Sequence, residues 1–430
     1  MVCLCLVKSA KRSCAMLANT ALLGASQPKA GQDPIFRLLQ DYRQDRRSNK
    51  LDLGIGVYRD HLNRSPIFAA VKQAEQWRVD TEEDKAYIGP LGDLTFCQLV
   101  TELALGESLA EQLSERIAYA QTPGGVGALR LAFELLKTSN SDITLWVADT
   151  TWQVHHPIAG GAGLNVATYA YYDRAIGRLP FADLLAQLAE AKPGDALLLQ
   201  AGCHNPTGLD FSVDEWQLLA ELCTEKQLLP VIDMAYHGLG VGFDSERQGL
   251  KIMAESLREL ILCYTCSKNF GLYRDRTGMV MALGASAGHQ QVIEQQWVQL
   301  ATQHYFTPPA HGASLVRRIL QNDQLRAIWS NELDRIQQRL GTIRVQLIDA
   351  LSTAVPQRSW DFLLQGSGMF AIFPLNSDEI KLLQKQYAIY IVDNGRINLS
   401  GVNQANMTGL VAAITAVIQQ SEVELNAASV

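Results

Sequence analysis

With 430 residues, 47% hydrophobic and 19% charged, the chain can bury a deep core and lies far from the composition of disordered chains. Its formal net charge of −7, from 37 Lys plus Arg against 44 Asp plus Glu, gives no general attraction to nucleic acid or an anionic membrane, so any bound anion needs a local site. Eight cysteines are too few for a secreted disulfide scaffold of this length, which favours a reducing, cytoplasmic setting.

In chain order, the first 32 residues hold Lys8, Lys11, Arg12 and Lys29 but no acid, behind an apolar start at Val2 to Val7. A signal peptide places its charges before the apolar stretch. The expectation is therefore a flexible extension over residues 1–26, with Met16 as a second possible start and organellar targeting as the weaker option. No run of 18 apolar residues is present to span a membrane.

Three glycines in Gln121-Thr-Pro-Gly-Gly-Val-Gly127 head a helical pattern that runs to Lys137. Unpaired N–H groups at such a helix start suit a phosphate, although a tight turn explains the glycines equally well. The segment is neither a P-loop, since G-K-[ST] is missing, nor a dinucleotide fingerprint, since Arg130 replaces the third glycine.

From Ile143 onward short apolar runs alternate with helix-period segments. Ile143 to Ala148, Ala196 to Gln200, Leu228 to Asp233, Ile261 to Thr265 and Met279 to Leu283 read as buried strands, and Phe181 to Glu190 and Asp214 to Lys226 as helices between them. This alternation predicts an α/β fold with a mostly parallel sheet, whose ligands bind beyond the carboxyl ends of the strands. Polar residues follow those ends: Asp149 and Trp152, Asn205, Asp233 and Tyr236, then Ser267 and Lys268. Cys263 and Cys266 have C-x-x-C spacing, but a strand would point them to opposite faces. Beyond about residue 312, long helices over Ala313 to Asn322 and Leu325 to Leu351 precede short strands near Gly368 to Pro374 and Ile389 to Val392, the pattern of a second, smaller domain.

Several of these residue types carry chemistry. Lys268, just past an apolar strand, can be a Schiff-base nucleophile if a carbonyl cofactor is present, and Arg276 close behind can hold an anion. Asp233 closes a buried strand and needs a cationic or hydrogen-bonding partner. Asn205 adds an amide in the turn Cys203-His-Asn-Pro-Thr-Gly208.

Together S-K-N-F-G-L-Y from Ser267, H-N-P-T-G from His204 and the D-x-A-Y of Asp233 to Tyr236 resemble the class I aminotransferases that use pyridoxal 5'-phosphate, and among them the aspartate and aromatic amino-acid group. The resemblance runs from roughly Asp33 to the C-terminus. It implies fold type I, with a seven-stranded, mostly parallel sheet in a large cofactor domain (66–335) and a smaller α+β domain from residues 27–65 and 336–430. It implies that Lys268 binds the cofactor covalently and then shuttles a proton, while Asp233, supported by His155, pairs with the pyridinium nitrogen. Asn205 and Tyr236 would hydrogen-bond the phenolic oxygen and Trp152 would stack on the ring. Gly125, Val126, Thr265, Ser267 and Arg276 would hold the phosphate, joined by Tyr87 of a partner subunit in a homodimer. Arg396 would grip the substrate α-carboxylate, with Gly56 closing over it and Phe370 lining the pocket.

Three positions depart from the family pattern: Val126 replaces a threonine on the phosphate, Gln200 replaces a histidine behind the ring, and Thr302 falls where the arginine for a dicarboxylate side chain belongs. The implied activity is ping-pong transfer of an amino group from an L-amino acid, aromatic or aspartate-like, to a 2-oxo acid such as 2-oxoglutarate. A lyase or decarboxylase on the same fold, or a non-catalytic cofactor-binding regulator, are the alternatives. No nucleic-acid or membrane partner is implied.

Overall fold

The structure, a computed structural model, describes residues 34–428. The extension expected over residues 1–26 lies outside them. Eleven strands occur in the described residues: β1 (Leu51–Asp52), β2 (Ile117–Pro123), β3 (Thr144–Ala148), β4 (Asn165–Tyr169), β5 (Ala196–Gln200), β6 (Leu229–Met234), β7 (Leu260–Thr265), β8 (Thr277–Leu283), β9 (Phe370–Ile372), β10 (Ile389–Tyr390) and β11 (Arg396–Asn398). Seven form one sheet in the order β2-β8-β7-β6-β5-β3-β4. The strands β5, β7 and β8 are buried at every position, as continuous apolar runs covered on both faces require.

Register fixes where chemistry can be delivered. Gln200 pairs with Asp233, Asp233 with Cys263 and Met234 with Tyr264, so the carboxyl ends of β5, β6 and β7 finish level. The strand β8 runs antiparallel to both β7 and β2, with Gly278 facing Thr265 and Thr122. Its start therefore lies at the carboxyl ends of its neighbours, which carries Arg276 to the same edge as the glycine turn after β2. Strands β2 and β4 and the antiparallel course of β8 were not among the sequence expectations. The β4 sequence Asn-Val-Ala-Thr-Tyr sits at the sheet edge with mostly exposed side chains, and β2 alternates small and polar residues rather than forming an apolar run.

Helices cover the sheet on both faces. The helix Val213–Lys226 starts from a capping box in which Ser212 and Glu215 satisfy each other's backbone N–H groups. The helix Gly124–Ser139 begins at the glycine turn with no side-chain cap. A second apolar core gathers Leu51 and Leu53 with residues from Ile343 to Ile418, around the small pairs β1-β10 and β9-β11. The 32-residue helix Asp323–Ala354, about 48 Å long at 1.5 Å per residue, joins the two bodies. Its Trp329, Leu333 and Leu340 pack in the large core, and Ile343, Leu347 and Leu351 in the second. Among the described residues, no helix is long and apolar enough to cross a membrane.

A side chain on Gly278 would break the junction between β8 and the glycine turn. A Cβ there would stand 2.7 Å from the Tyr264 carbonyl oxygen and 2.8 Å from the Gly124 carbonyl carbon, both backbone atoms that cannot swing aside. The Gly278→Ala protein should lose about 1–3 kcal/mol of stability, the usual cost of overpacking, with a lower Tm in thermal denaturation. An unchanged Tm would show that the strand pair can spread.

Candidate active site

Beyond the carboxyl ends lies a cavity of about 240 Å³ lined by Gly56, Gly125, Val126, Leu129, Trp152, Asp233, Ala235, Tyr236, Thr265, Ser267, Lys268, Tyr273, Arg276 and Arg396. A small adjoining pocket is lined by Thr151, Trp152, Asn205 and Arg396 among others. Residues from the ends of β2, β3, β6 and β7, from the start of β8 and from the second body thus meet at one place. Asn205 borders only the adjoining pocket, and Phe370 lies beneath Arg396, whose guanidinium stands 4.7 Å over its ring.

The amine of Lys268 stands 4.9 Å over the Tyr236 ring. Loss of water around it lowers its pKa from 10.5 to about 8, with the Asp233 carboxylate pulling the other way and the Arg276 guanidinium adding to the fall. Asp233 is itself buried; its Oδ2 lies 3.1 Å from Nε2 of His155, which is fully buried rather than on the surface. Burial raises the Tyr236 phenol well above its ordinary value, against the nearby Arg396 charge, so its hydroxyl stays protonated and receives a hydrogen bond from Asn205 Nδ2 at 3.3 Å.

Around Arg276 the turn is tight. Its guanidinium donates to Ser267 Oγ at 3.4 Å and to the Tyr273 carbonyl at 3.2 Å, and Ser267 Oγ and Thr265 Oγ1 are 3.1 Å apart. A Cβ on Gly124, at φ +75°, would come within 2.6 Å of that guanidinium, so glycine is what lets the arginine lie across the helix start. Arg396 donates to Asn205 Oδ1 at 3.2 Å and to the carbonyl of Gly54. The loop carrying Gly56 is tied down by Asn398 Nδ2, which donates to the carbonyls of Ile55 and Val57, and by Tyr58 N–H, which donates to Tyr273 Oη at 2.9 Å.

Two expected site residues stand apart. Tyr87 is exposed and packs edge-on against exposed Phe306, 5.5 Å between ring centres. Thr302 is exposed on the helix Ala287–His304, its hydroxyl donating to the Val298 carbonyl. Neither borders the cavity of this chain. Conversely, Leu129, Ala235 and Tyr273 line it without having been singled out. Helical spacing from Val126 could have found Leu129, whereas Tyr273 was in view within S-K-N-F-G-L-Y, with nothing in the sequence to aim its ring.

The model of the aminotransferase class I and II family matches residues 48–414. The chain belongs to this family. It is 39% identical over 389 residues to the aspartate aminotransferase of Salmonella typhi, spanning 90% of this chain and 98% of that one. To the aromatic-amino-acid aminotransferase of Pseudomonas aeruginosa it is 38% identical over 385 residues, spanning 90% and 96%. The solved aromatic-amino-acid aminotransferase of Burkholderia pseudomallei, covalently bound to pyridoxal phosphate, superposes with a TM-score of 0.89 at 30% identity, covering 93% of this chain and all of that one. The protein is an aminotransferase that uses pyridoxal phosphate. The cavity suits that group: an amine of lowered pKa can meet its carbonyl, a buried carboxylate its ring nitrogen, and a guanidinium with two hydroxyls over an uncapped helix start its phosphate.

The electrostatics can be read directly. In the cofactor-free protein, reductive methylation of Lys268 followed by mass spectrometry should rise with a midpoint near pH 8 rather than the ordinary 10.5. Because the Asp233 charge favours the ammonium form, Asp233→Asn should move the midpoint lower, and Arg276→Leu should move it higher. A wild-type midpoint near 10 would remove the argument for a desolvated amine.

Proposed function

We propose that the enzyme transfers the amino group of aromatic or other uncharged L-amino acids to a 2-oxo acid such as 2-oxoglutarate, as a cytoplasmic homodimer, with the residue roles inferred from the sequence. The observation that carries the substrate reading is the cation count of the cavity. Among the described residues its lining holds three basic side chains, Lys268, Arg276 and Arg396. Each is committed: the amine to the cofactor carbonyl, Arg276 to its phosphate and Arg396 to the substrate α-carboxylate, where a planar fork matches a carboxylate bidentately. None is left for a second carboxylate. The rest of the lining includes Leu129, Trp152, Tyr236 and Tyr273, apolar and aromatic surface suited to an uncharged side chain. His304 is engaged with Glu134, and Arg64 pairs with Asp60 on the surface, so neither replaces the missing charge within this chain.

Pyridoxal phosphate, when bound, supplies the reactive carbonyl and an electron-accepting ring that acidifies the substrate α-C–H. The protein's part follows from its groups. Lys268 Nζ, its pKa lowered to about 8, is the base that would carry a proton between the substrate α-carbon and the carbonyl carbon of the cofactor, in one direction with the first substrate and in the other with the second. Asp233 would pair with the ring nitrogen, Asn205 and Tyr236 would donate to the phenolic oxygen, and Trp152 would stack on the ring. Thr265, Ser267 and the amides of Gly125 and Val126 complete the phosphate cradle. Gly56 and Phe370 close the substrate end. Exposed Tyr87 and Thr302 face a second subunit in this reading, Tyr87 reaching its phosphate. The division into a large domain of 66–335 and a small domain of 27–65 with 336–430 is kept on the same footing.

Two measurements test this. Lys268→Ala should leave a folded dimer with no detectable turnover, since it deletes the covalent anchor and the proton carrier together; near-normal turnover would sink the mechanism. A missing charge-assisted pair is worth about 1.5–3 kcal/mol, or roughly one to two powers of ten, so kcat/KM for tyrosine and phenylalanine should exceed that for aspartate and glutamate by about that factor. An aspartate value above the aromatic ones would point to a cation supplied from elsewhere.

A further inference from the structure

Behind Asp233 runs a chain of polar groups, Gln200 and His155 buried with half-buried Thr151 between them, whose contacts restrict where the hydrogens can lie. Gln200, at the end of β5, is buried. Its Oε1 accepts from the Asn205 backbone N–H at 3.0 Å, a group that can only donate. Its Nε2 faces the Asn205 carbonyl oxygen at 3.1 Å, a group that can only accept. Both contacts fix the amide's orientation, so the second Nε2 hydrogen points to Thr151 Oγ1, also at 3.1 Å. The hydroxyl has one hydrogen of its own, and its other partner among the described residues is His155 Nδ1 at 2.8 Å. Were that nitrogen protonated, the hydroxyl hydrogen would have no acceptor among the described residues; with the nitrogen accepting, every hydrogen of the chain has a partner and the imidazole proton falls on Nε2, 3.1 Å from Asp233 Oδ2.

We propose that Gln200 is a positioning residue: acting through Thr151, it fixes His155 as the neutral Nε2–H tautomer, a donor held on Asp233. Donors then run one way, from Gln200 to Thr151 to His155 to the carboxylate. An amide neither gains nor loses a proton, so the direction is built into the side chain at position 200, whereas a histidine there would present either a donor or an acceptor. The same amide grips Asn205, whose side chain contacts Tyr236 and Arg396, so one residue braces the groups on both sides of the cavity. The inference rests on the roles proposed above for Asp233 and His155, but its test does not need turnover.

The test is nitrogen NMR of the histidine ring in the full-length protein, with and without pyridoxal phosphate, the His155 signals being assigned by their loss in His155→Gln. The wild type should give the single Nε2–H pattern in both forms. In Gln200→Glu a carboxylate can only accept, so Thr151 should turn its hydrogen toward it, and His155 should gain a proton on Nδ1. Should that variant fail to fold, Gln200→Met, similar in size and without a donor, should replace the single pattern by exchange-broadened signals. Thr151→Ser should retain the wild-type pattern. A wild-type ring protonated on Nδ1, or an unchanged pattern in a folded Gln200→Glu or Gln200→Met protein, would overturn the proposal. Failure of transamination with every donor would instead count against the roles assigned above while leaving the tautomer result intact.

Discussion

The constraint on which the site depends is the placing of an amine and a carboxylate together where water is scarce. An ammonium ion stripped of water reverts toward its neutral form, and a nearby carboxylate opposes that shift. In this chain desolvation and Arg276 outweigh Asp233, and the Lys268 amine settles near neutrality. Asp233 is contacted in turn by the buried His155. The balance needs β6 and β7 to end level, because a one-residue slip would turn Asp233 to the opposite face. Sheet register thus sets the electrostatics of the cavity as much as the packing of the sheet.

Arg396 ties this edge to the second body. Its strand belongs to the small core, yet its guanidinium donates to Asn205 in the turn after β5 and to Gly54 in the loop after β1. Residues Leu53, Ile397 and Leu399 beside these points pack in one cluster with the far half of the Asp323–Ala354 helix. Any rotation of the small core about that helix would carry Arg396 and the Gly56 loop together, and the side of the cavity they line would move as a unit.

The sequence disclosed the parts of the fold whose signal is local. The apolar runs of β5, β6 and β7 are strands because burial on both faces leaves few other choices, and the residues following them stand at the cavity for the same reason. What periodicity could not disclose was pairing. Strand β2, with alanine, glutamine and threonine along its length, becomes a strand by lying against the apolar β8, a tertiary effect with no local mark. Arg276 lies near the glycine turn only because β8 runs antiparallel, and direction is not written in a run of apolar residues. Tyr87 and Thr302 came from the family resemblance alone, and in this chain both side chains are exposed and away from the cavity.

The substitutions that set this chain apart fall in two places with different physical leverage. At Thr302, in the function proposed above, the change removes a charge and would act on whichever substrate carries a second carboxylate, leaving others untouched. At Gln200 the change removes a titratable ring from a buried network and puts a fixed donor and acceptor in its place. In the proposed reading that would act on every substrate alike, through the donor that His155 holds on Asp233. A buried polar network is stabilising only when each hydrogen has one acceptor to go to. The amide at position 200 meets that condition with two backbone groups of opposite kind, which a single titratable ring could satisfy in only one of its protonation states.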